Sequence, residues 1–86
     1  MTLDELRKQI DEVDAELAAL FAQRMALAGR VAEVKRGGIA VLDSVREEMV
    51  RRQFLAQVPP ELEKYAQTLL ETLLAVSRDY QYEVLG

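Results

Sequence analysis

The feature that most constrains this chain is an apolar seam running through its first 36 residues. The seam residues recur at alternating steps of three and four, which places side chains along one face of an α-helix. They are Leu3, Leu6, Ile10, Val13, Leu17, Leu20, Leu27, Val31 and Val34. The spacing predicts one long amphipathic helix over residues 3–36. Where the pattern calls for one more apolar residue, between Leu20 and Leu27, the chain has Arg24.

The predicted helix is too long for a compact domain of this size. At about 1.5 Å per residue it extends for about 50 Å. A compact domain formed by 86 residues has a radius of gyration of about 12 Å and thus a diameter of about 30 Å. Part of the seam must therefore project beyond the rest of the chain, and a second copy would cover it. We expect a single domain over residues 1–86 that forms a homo-oligomer.

Two shorter helices are predicted after the glycine pair at positions 37 and 38. Asp43 and Glu47 are typical of the capped start of a second helix, which would run to about residue 57. Pro59-Pro60 then breaks the chain and starts a third helix that continues to about residue 84. Its apolar stripe is Leu62, Ala66, Leu69, Leu73, Val76 and Tyr80. The sequence thus predicts an all-α fold of one long, one short and one medium helix, closed by dimerisation into a helical bundle.

Composition excludes several kinds of site. The chain has no Cys and no His, which makes thiolate chemistry and a zinc site improbable, and we expect neither metal nor cofactor. The formal net charge of −4 argues against nucleic acid or an anionic membrane as a partner. No apolar run approaches the length of a membrane span, and the start of the chain lacks a signal-peptide pattern. We expect a soluble cytoplasmic protein.

Polar residues interrupt the predicted core stripes of all three helices. Arg24 and Lys35 are eleven residues apart, which returns to within about 20° of the same helix face at an axial separation of about 16 Å. On the third helix, Ser77 and Gln81 are spaced i, i+4 and interrupt the stripe of Leu70 and Leu74, where leucine would be the plain choice. The first turn of the second helix adds Asp43, Arg46 and Glu47. Together these residues predict a small cation-rich pocket between helices.

Each of these residues also has an ordinary structural explanation. Arg24 pairs with a carboxylate across an interface in one alternative, and Lys35 neutralises the end of its helix in another. Glu47 serves as a capping-box residue, and Ser77 and Gln81 are exposed. These alternatives are open for each residue taken alone, whereas cations and neutral donors on stripes of three helices favour a shared pocket.

At this point the chain resembles a known family, the all-helical (type II) chorismate mutases. The resemblance is carried by Arg7, Ile10-Asp11, Asp14, Arg24, Lys35, Asp43, Arg46-Glu47, Ser77-Arg78 and Gln81. It covers essentially the whole chain, and its motif is distributed over three helices at matching separations. The resemblance implies an intertwined homodimer with two sites, each built mainly from one chain with one arginine from the partner.

The resemblance also implies a role for each site residue. Arg24 and the partner's Arg7 would bind the carboxylates of chorismate, supported by Ser77 and Arg46. Lys35 and Gln81 would bind the ether oxygen. Glu47, with the backbone near Asp43, would bind the ring hydroxyl. The implied catalytic set is Lys35, Gln81, Arg24 and Glu47, in the conversion of chorismate to prephenate for phenylalanine and tyrosine biosynthesis.

The spacing of two arginines supports a shared site without the resemblance. Arg7 and Arg24 are seventeen residues apart, which is about 25 Å along one helix and about 100° around it. One straight helix cannot direct both at a small ligand. Two long helices crossing antiparallel near residues 15 and 16 would bring Arg7 of one beside Arg24 of the other, twice.

The implied reaction suits a protein without His or Cys, because it is an intramolecular rearrangement in which no proton moves. Two alternatives remain open. An isochorismate pyruvate-lyase would use the same fold and the same cationic pocket. A non-catalytic helical domain, regulatory or docking in function and part of a larger enzyme of the pathway, would need no reaction at all.

Overall fold

The protein is all-helical, as the sequence predicts. In a computed structural model that describes residues 1–86, three α-helices follow one another: α1 (Leu3–Lys35), α2 (Ser44–Leu55) and α3 (Glu63–Leu85). A short 3-10 helix, Pro60–Leu62, leads into α3. The predicted ends were close: α1 stops one residue before Arg36, α2 stops before residue 57, and α3 runs just past residue 84.

The first helix is capped at both ends by the residues that the sequence indicates. The Thr2 hydroxyl accepts from the Glu5 backbone N–H at 3.2 Å, and the Glu5 carboxylate accepts from the Thr2 N–H at 3.2 Å, which completes a capping box. After α1, Gly37 and Gly38 have φ angles of 105° and 133°. These are left-handed conformations that favour glycine, and they end the helix.

The predicted overhang of α1 is present. The chain measures 55 × 25 × 14 Å with a radius of gyration of 15.8 Å, well above that of a compact domain of this length. Every side chain up to residue 23 is exposed. All nine seam residues, from Leu3 to Val34, are at least 43% exposed. Nothing in this chain covers the seam, and the homo-oligomer therefore stays a prediction.

The third helix is the middle layer of the fold. It packs against both α1 and α2, whereas no Cα atom of α1 lies within 8 Å of one in α2. The small residues Ala28 and Ala32 of α1 are buried in this packing. Gly29 lies between them, and a Cβ there would sit 3.2 Å from the Tyr80 ring of α3. Small side chains thus let α1 and α3 approach closely.

The buried stripe of α3 differs from the apolar stripe that the sequence analysis names. Ala66, Leu70, Leu74, Ser77 and Gln81 are buried. Of the predicted stripe Ala66 alone is buried, while Leu62, Leu69 and Tyr80 remain 48%, 48% and 37% exposed. Helix α3 has leucine on two neighbouring stripes. The other helices of the same chain cover the stripe that carries Ser77 and Gln81. No helix of the chain is both long enough and apolar enough to cross a membrane.

Candidate active site

The three helices enclose a cavity of about 260 Å³ next to the buried stripe of α3. Residues of α1 and α2 line it from either side, and α3 lies between those two helices, so that it forms the floor. The cavity brings together seven of the eight predicted site residues, which are Arg24, Lys35, Asp43, Arg46, Glu47, Ser77 and Gln81. Apolar residues complete the wall: Leu27, Ala28, Val31, Val41, Val50 and Leu74.

Arg7 is the predicted site residue that the cavity does not include. It is exposed near the start of α1. The seventeen residues between Arg7 and Arg24 are continuous α-helix, so the two side chains start about 25 Å apart along the axis. Within one chain, Arg7 cannot contribute to this cavity.

The charges of the cavity favour an anionic ligand. Four lining side chains are cationic, Arg24, Lys35, Arg46 and Arg78, and two are anionic, Asp43 and Glu47. The lining therefore has a formal excess of two positive charges, in a chain whose net charge is −4. Among the four cations, Arg78 alone has a carboxylate within ion-pairing distance. Cations without carboxylate partners in a concave site are the arrangement that binds an anion.

Lys35 faces the loop after α1 rather than the end of its own helix. Its Nζ atom donates to the backbone carbonyl of Val41 at 2.8 Å. An ammonium group has three N–H bonds, so two remain for a ligand. Val41 is buried in the cavity wall, and its carbonyl fixes where the charged end of Lys35 lies.

Ser77 and Gln81 are buried, so their alternative explanation as exposed residues is wrong. They are 9% and 7% exposed. The Gln81 Nε2 atom donates to the Ser77 hydroxyl at 3.4 Å, while the buried Oε1 atom has no hydrogen-bond partner. An unpaired buried amide oxygen costs about 1–3 kcal/mol. A group with such a cost does not stabilise the fold, and it is typical of a side chain that binds a ligand.

Asp43 and Glu47 have separate roles in the structure, although both were predicted to cap the start of α2. Asp43 caps α2, because its Oδ1 atom accepts from the Arg46 backbone N–H at 2.9 Å. Glu47 does not act as the reciprocal capping residue. Its carboxylate accepts instead from Arg78 of α3, with Nη1 at 2.6 Å from Oε1 and 2.7 Å from Oε2. The capping-box explanation of Glu47 is therefore wrong.

Arg78 is the cavity residue to which the sequence analysis assigned no role. It follows Ser77 in α3 and lies 31 residues from Glu47. A partner that distant cannot be found from helical spacing. The adjacency to Ser77 was the one available signal, since residues next to a cavity-lining position also approach the cavity edge.

A second ion pair joins α2 to α3 just outside the cavity. Arg51 donates to Glu71 through Nε at 2.7 Å and Nη2 at 2.9 Å, in a two-pronged contact. These hydrogen bonds lower the pKa of Glu71 and raise the pKa of Arg51 from their ordinary values. The Nη2 atom of Arg51 also lies 3.5 Å from Glu47 Oε1. No cluster of three or more acidic residues in the chain is arranged to hold a metal ion.

Comparison with known proteins identifies the family. A family model described as chorismate mutase type II matches residues 6–82. The chain belongs to this family. The match spans all three helices and every residue of the cavity, and it confirms the resemblance stated from the sequence.

A relative named as a chorismate mutase supports the assignment over part of the chain. A chorismate mutase of Methanocaldococcus jannaschii is 45% identical over 49 residues, which is 56% of this chain and 50% of that protein. The chain therefore matches about half the length of this relative. No solved structure gave a significant match. The part that each cavity residue plays stays a prediction.

Proposed function

We propose that the chain is a chorismate mutase, which converts chorismate to prephenate in the cytoplasmic biosynthesis of phenylalanine and tyrosine. The observation that carries this proposal is the cavity itself: unpaired cations and two buried neutral donors on three helices of a type II family member. Chorismate is a dianion, and the excess of two positive charges in the lining matches it. The volume of about 260 Å³ is suited to a ligand smaller than a typical drug.

The proposed chemistry is a rearrangement within one molecule. A carbon–oxygen bond breaks while a carbon–carbon bond forms, so no proton acceptor, nucleophile or cofactor takes part. The protein has to hold the enolpyruvyl arm over the ring, which a clamp on both carboxylates does by removing conformational freedom before the reaction. In this proposal Arg24 and Arg46 supply that clamp from one chain, with Ser77 beside them.

Negative charge grows on the ether oxygen in the transition state, and Lys35 and Gln81 stabilise it. Lys35 keeps two N–H bonds free. Gln81 donates an N–H bond to the Ser77 hydroxyl. Because a hydroxyl both accepts and donates, a rotation of the amide by 180° about its last side-chain bond would exchange Nε2 and Oε1 and keep a hydrogen bond to Ser77. In the turned amide, Oε1 accepts from the Ser77 hydroxyl and the NH2 group faces the ligand, so one N–H bond can donate to the ether oxygen. A fixed donor of this kind is worth about 10²–10³ in rate.

The site is completed by a second copy of the chain. Arg7 of the partner subunit supplies the remaining clamp on a carboxylate, because Arg7 of the same chain lies too far along α1. The exposed seam supports this arrangement, since nine apolar residues at least 43% exposed form a surface that a monomer rarely leaves open. Two α1 helices crossing antiparallel near residues 15 and 16 would cover it and place both arginines correctly.

The loss of chorismate absorbance in the presence of the purified protein tests the function. Arg24→Ala should lower kcat/KM by at least about 10², because a clamp on a carboxylate is lost. Arg30→Ala is the matched control, since Arg30 lies on the same helix, is exposed and does not line the cavity. Its activity should stay within about twofold of wild type, as is usual for surface substitutions.

The same preparation separates the proposal from its two alternatives. Isochorismate supplied in place of chorismate would give pyruvate at a much higher rate if the protein were a pyruvate-lyase. Neither substrate would react, with the dimer intact by sedimentation, if the protein were a non-catalytic helical domain. Either result would overturn the proposed function.

A further inference from the structure

A charged residue is the one side chain of α2 that is buried. Glu47 is 9% exposed, and no apolar residue of α2 falls in the buried class. A carboxylate is rarely buried without a cation, because removing it from water costs several kcal/mol. Arg78 supplies the first cation, through the single atom Nη1 at 2.6 and 2.7 Å from the two oxygens.

Arg78 alone leaves the two oxygens of Glu47 equivalent. One nitrogen placed almost equally far from both holds the carboxylate in place, yet does not choose which oxygen faces the ligand. Arg51 makes that difference, because its Nη2 atom comes closest to Glu47 at Oε1, at 3.5 Å. Each oxygen accepts one hydrogen bond from Arg78. The charge of Arg51 acts more strongly on Oε1, the nearer oxygen, and this makes Oε2 the oxygen less engaged by cations.

Arg51 is fixed from the far side by Glu71. The two-pronged contact at 2.7 and 2.9 Å joins α2 to α3, and a fork of this kind fixes the plane of a guanidinium group. Arg51 is not among the residues that line the cavity, and Glu71 is not either. The four side chains therefore form a row of alternating charge, Glu71, Arg51, Glu47 and Arg78, that runs from the outer surface to the cavity.

We infer that Arg51, fixed by Glu71, is a positioning residue that occupies Oε1 of Glu47 and leaves Oε2 to accept the ring hydroxyl of the substrate. This inference rests on the proposed function, and it extends the site to two residues that touch no ligand. Because the hydroxyl is not a reacting atom, its hydrogen bond is made in the ground state and in the transition state alike. Losing it should raise KM more than it lowers kcat.

The competing explanation is that the Arg51–Glu71 pair merely attaches α2 to α3. A charge swap separates the two. The double variant Arg51→Glu with Glu71→Arg restores an ion pair between the helices but places a carboxylate beside Glu47. We expect Arg51→Met to raise KM about tenfold, as for loss of the charge-assisted hydrogen bond between Glu47 and the substrate hydroxyl. The swap should recover part of the thermal stability, since Arg51 also lies 3.7 Å from Glu48, while KM stays high. Recovery of both by the swap would overturn the inference.

Two further variants keep the test decisive. Arg52→Met is the matched control, because Arg52 is the next residue of α2, is 79% exposed and forms its one ion pair with Glu48; its KM should equal that of wild type. Arg51→Lys keeps a cation but not the two-pronged contact, so its KM should fall between those of wild type and Arg51→Met. A KM for Arg51→Lys as high as that for Arg51→Met would also contradict the inference, and this comparison holds if the swapped protein does not fold.

A spectroscopic readout distinguishes failure of this inference from failure of the proposed function. The ¹³C signal of the Glu47 carboxyl group should shift in Arg51→Met and stay in place in Arg52→Met, whether or not the protein turns over chorismate. An unshifted signal in Arg51→Met means that Arg51 does not act on Glu47, and the inference falls. A wild-type protein that leaves chorismate unchanged refutes the proposed reaction, while the carboxyl shift still reports whether Arg51 positions Glu47.

Discussion

Two inactive variants should restore activity to each other if the site is shared between chains. Arg24→Ala removes a cation from the cavity of its own chain, and Arg7→Ala removes one from the cavity of the partner. Each homodimer should be nearly inactive, since every site lacks one arginine. In a mixed dimer one site has both substitutions, and the other has an intact Arg24 and an intact Arg7.

The expected recovery follows from the symmetry of a closed dimer. If chains reassort freely, about half the dimers are mixed, and each has one sound site out of two. About a quarter of wild-type activity should therefore return. The two variants have to be unfolded and refolded together, because an interface that covers nine seam residues exchanges slowly. Chorismate consumption measures the recovery, and native mass spectrometry counts the mixed dimers.

The cavity offers a matched control for this experiment. Arg24 and Lys35 line the same cavity of one chain. A mixture of Arg24→Ala and Lys35→Ala therefore leaves one substitution in each site of every mixed dimer, and no activity should return. Equal recovery in both mixtures, or none in the first with mixed dimers confirmed by mass, would refute the shared site.

Three further predictions follow from individual residues. Gln81→Glu should lower kcat by about 10²–10³ at neutral pH, because a carboxylate faces the growing negative charge, and should regain activity in acid as the carboxyl is protonated; a pH profile parallel to wild type would count against a direct role. Leu17→Glu should weaken the dimer about 10³-fold in sedimentation, from about 2 kcal/mol of lost burial in each of two chains, whereas Ala15→Glu, about 160° away on the same helix, should not. Glu71→Gln should make the melting temperature less sensitive to acid. Arg51 lowers the pKa of Glu71, so the stabilisation from the ionised Glu71 carboxylate is complete above its unfolded pKa of about 4.3 and is lost as pH falls below that value. If Tm depended on pH between about 6 and 3 in the variant as it does in wild type, the prediction would be wrong.

Local patterns were enough to predict the helices from sequence. The Thr2 cap, the two glycines after α1 and the proline break each act within a few residues, so the chain itself specifies where helices start and end. The position of Ser77 and Gln81 on one stripe with Leu70 and Leu74 was also predictable, because all four follow the same helical spacing. The same local logic brought Arg24 and Lys35 to one face.

Contacts between distant parts of the chain were not predictable in this way. Leucine occupies two adjacent stripes of α3, and periodicity does not say which stripe faces α1. The partner of Glu47 is 31 residues away and that of Arg51 is 20 residues away. Such pairs depend on how α2 lies across α3, which no spacing within one helix contains. Arg78 was missed as a cavity residue for this reason.

Because α1 and α2 do not contact each other, a ligand in the cavity should change how firmly α2 is held. The two walls of the cavity each lie against α3 but not against one another. In α2 no apolar side chain is fully buried, and two ion pairs join this helix to α3. A dianion that contacts Arg24 on one wall and Arg46 on the other would supply the missing connection. We expect amide hydrogen exchange in α2 to slow when the cavity is filled and to quicken when the product leaves, so that local opening of α2 accompanies each release.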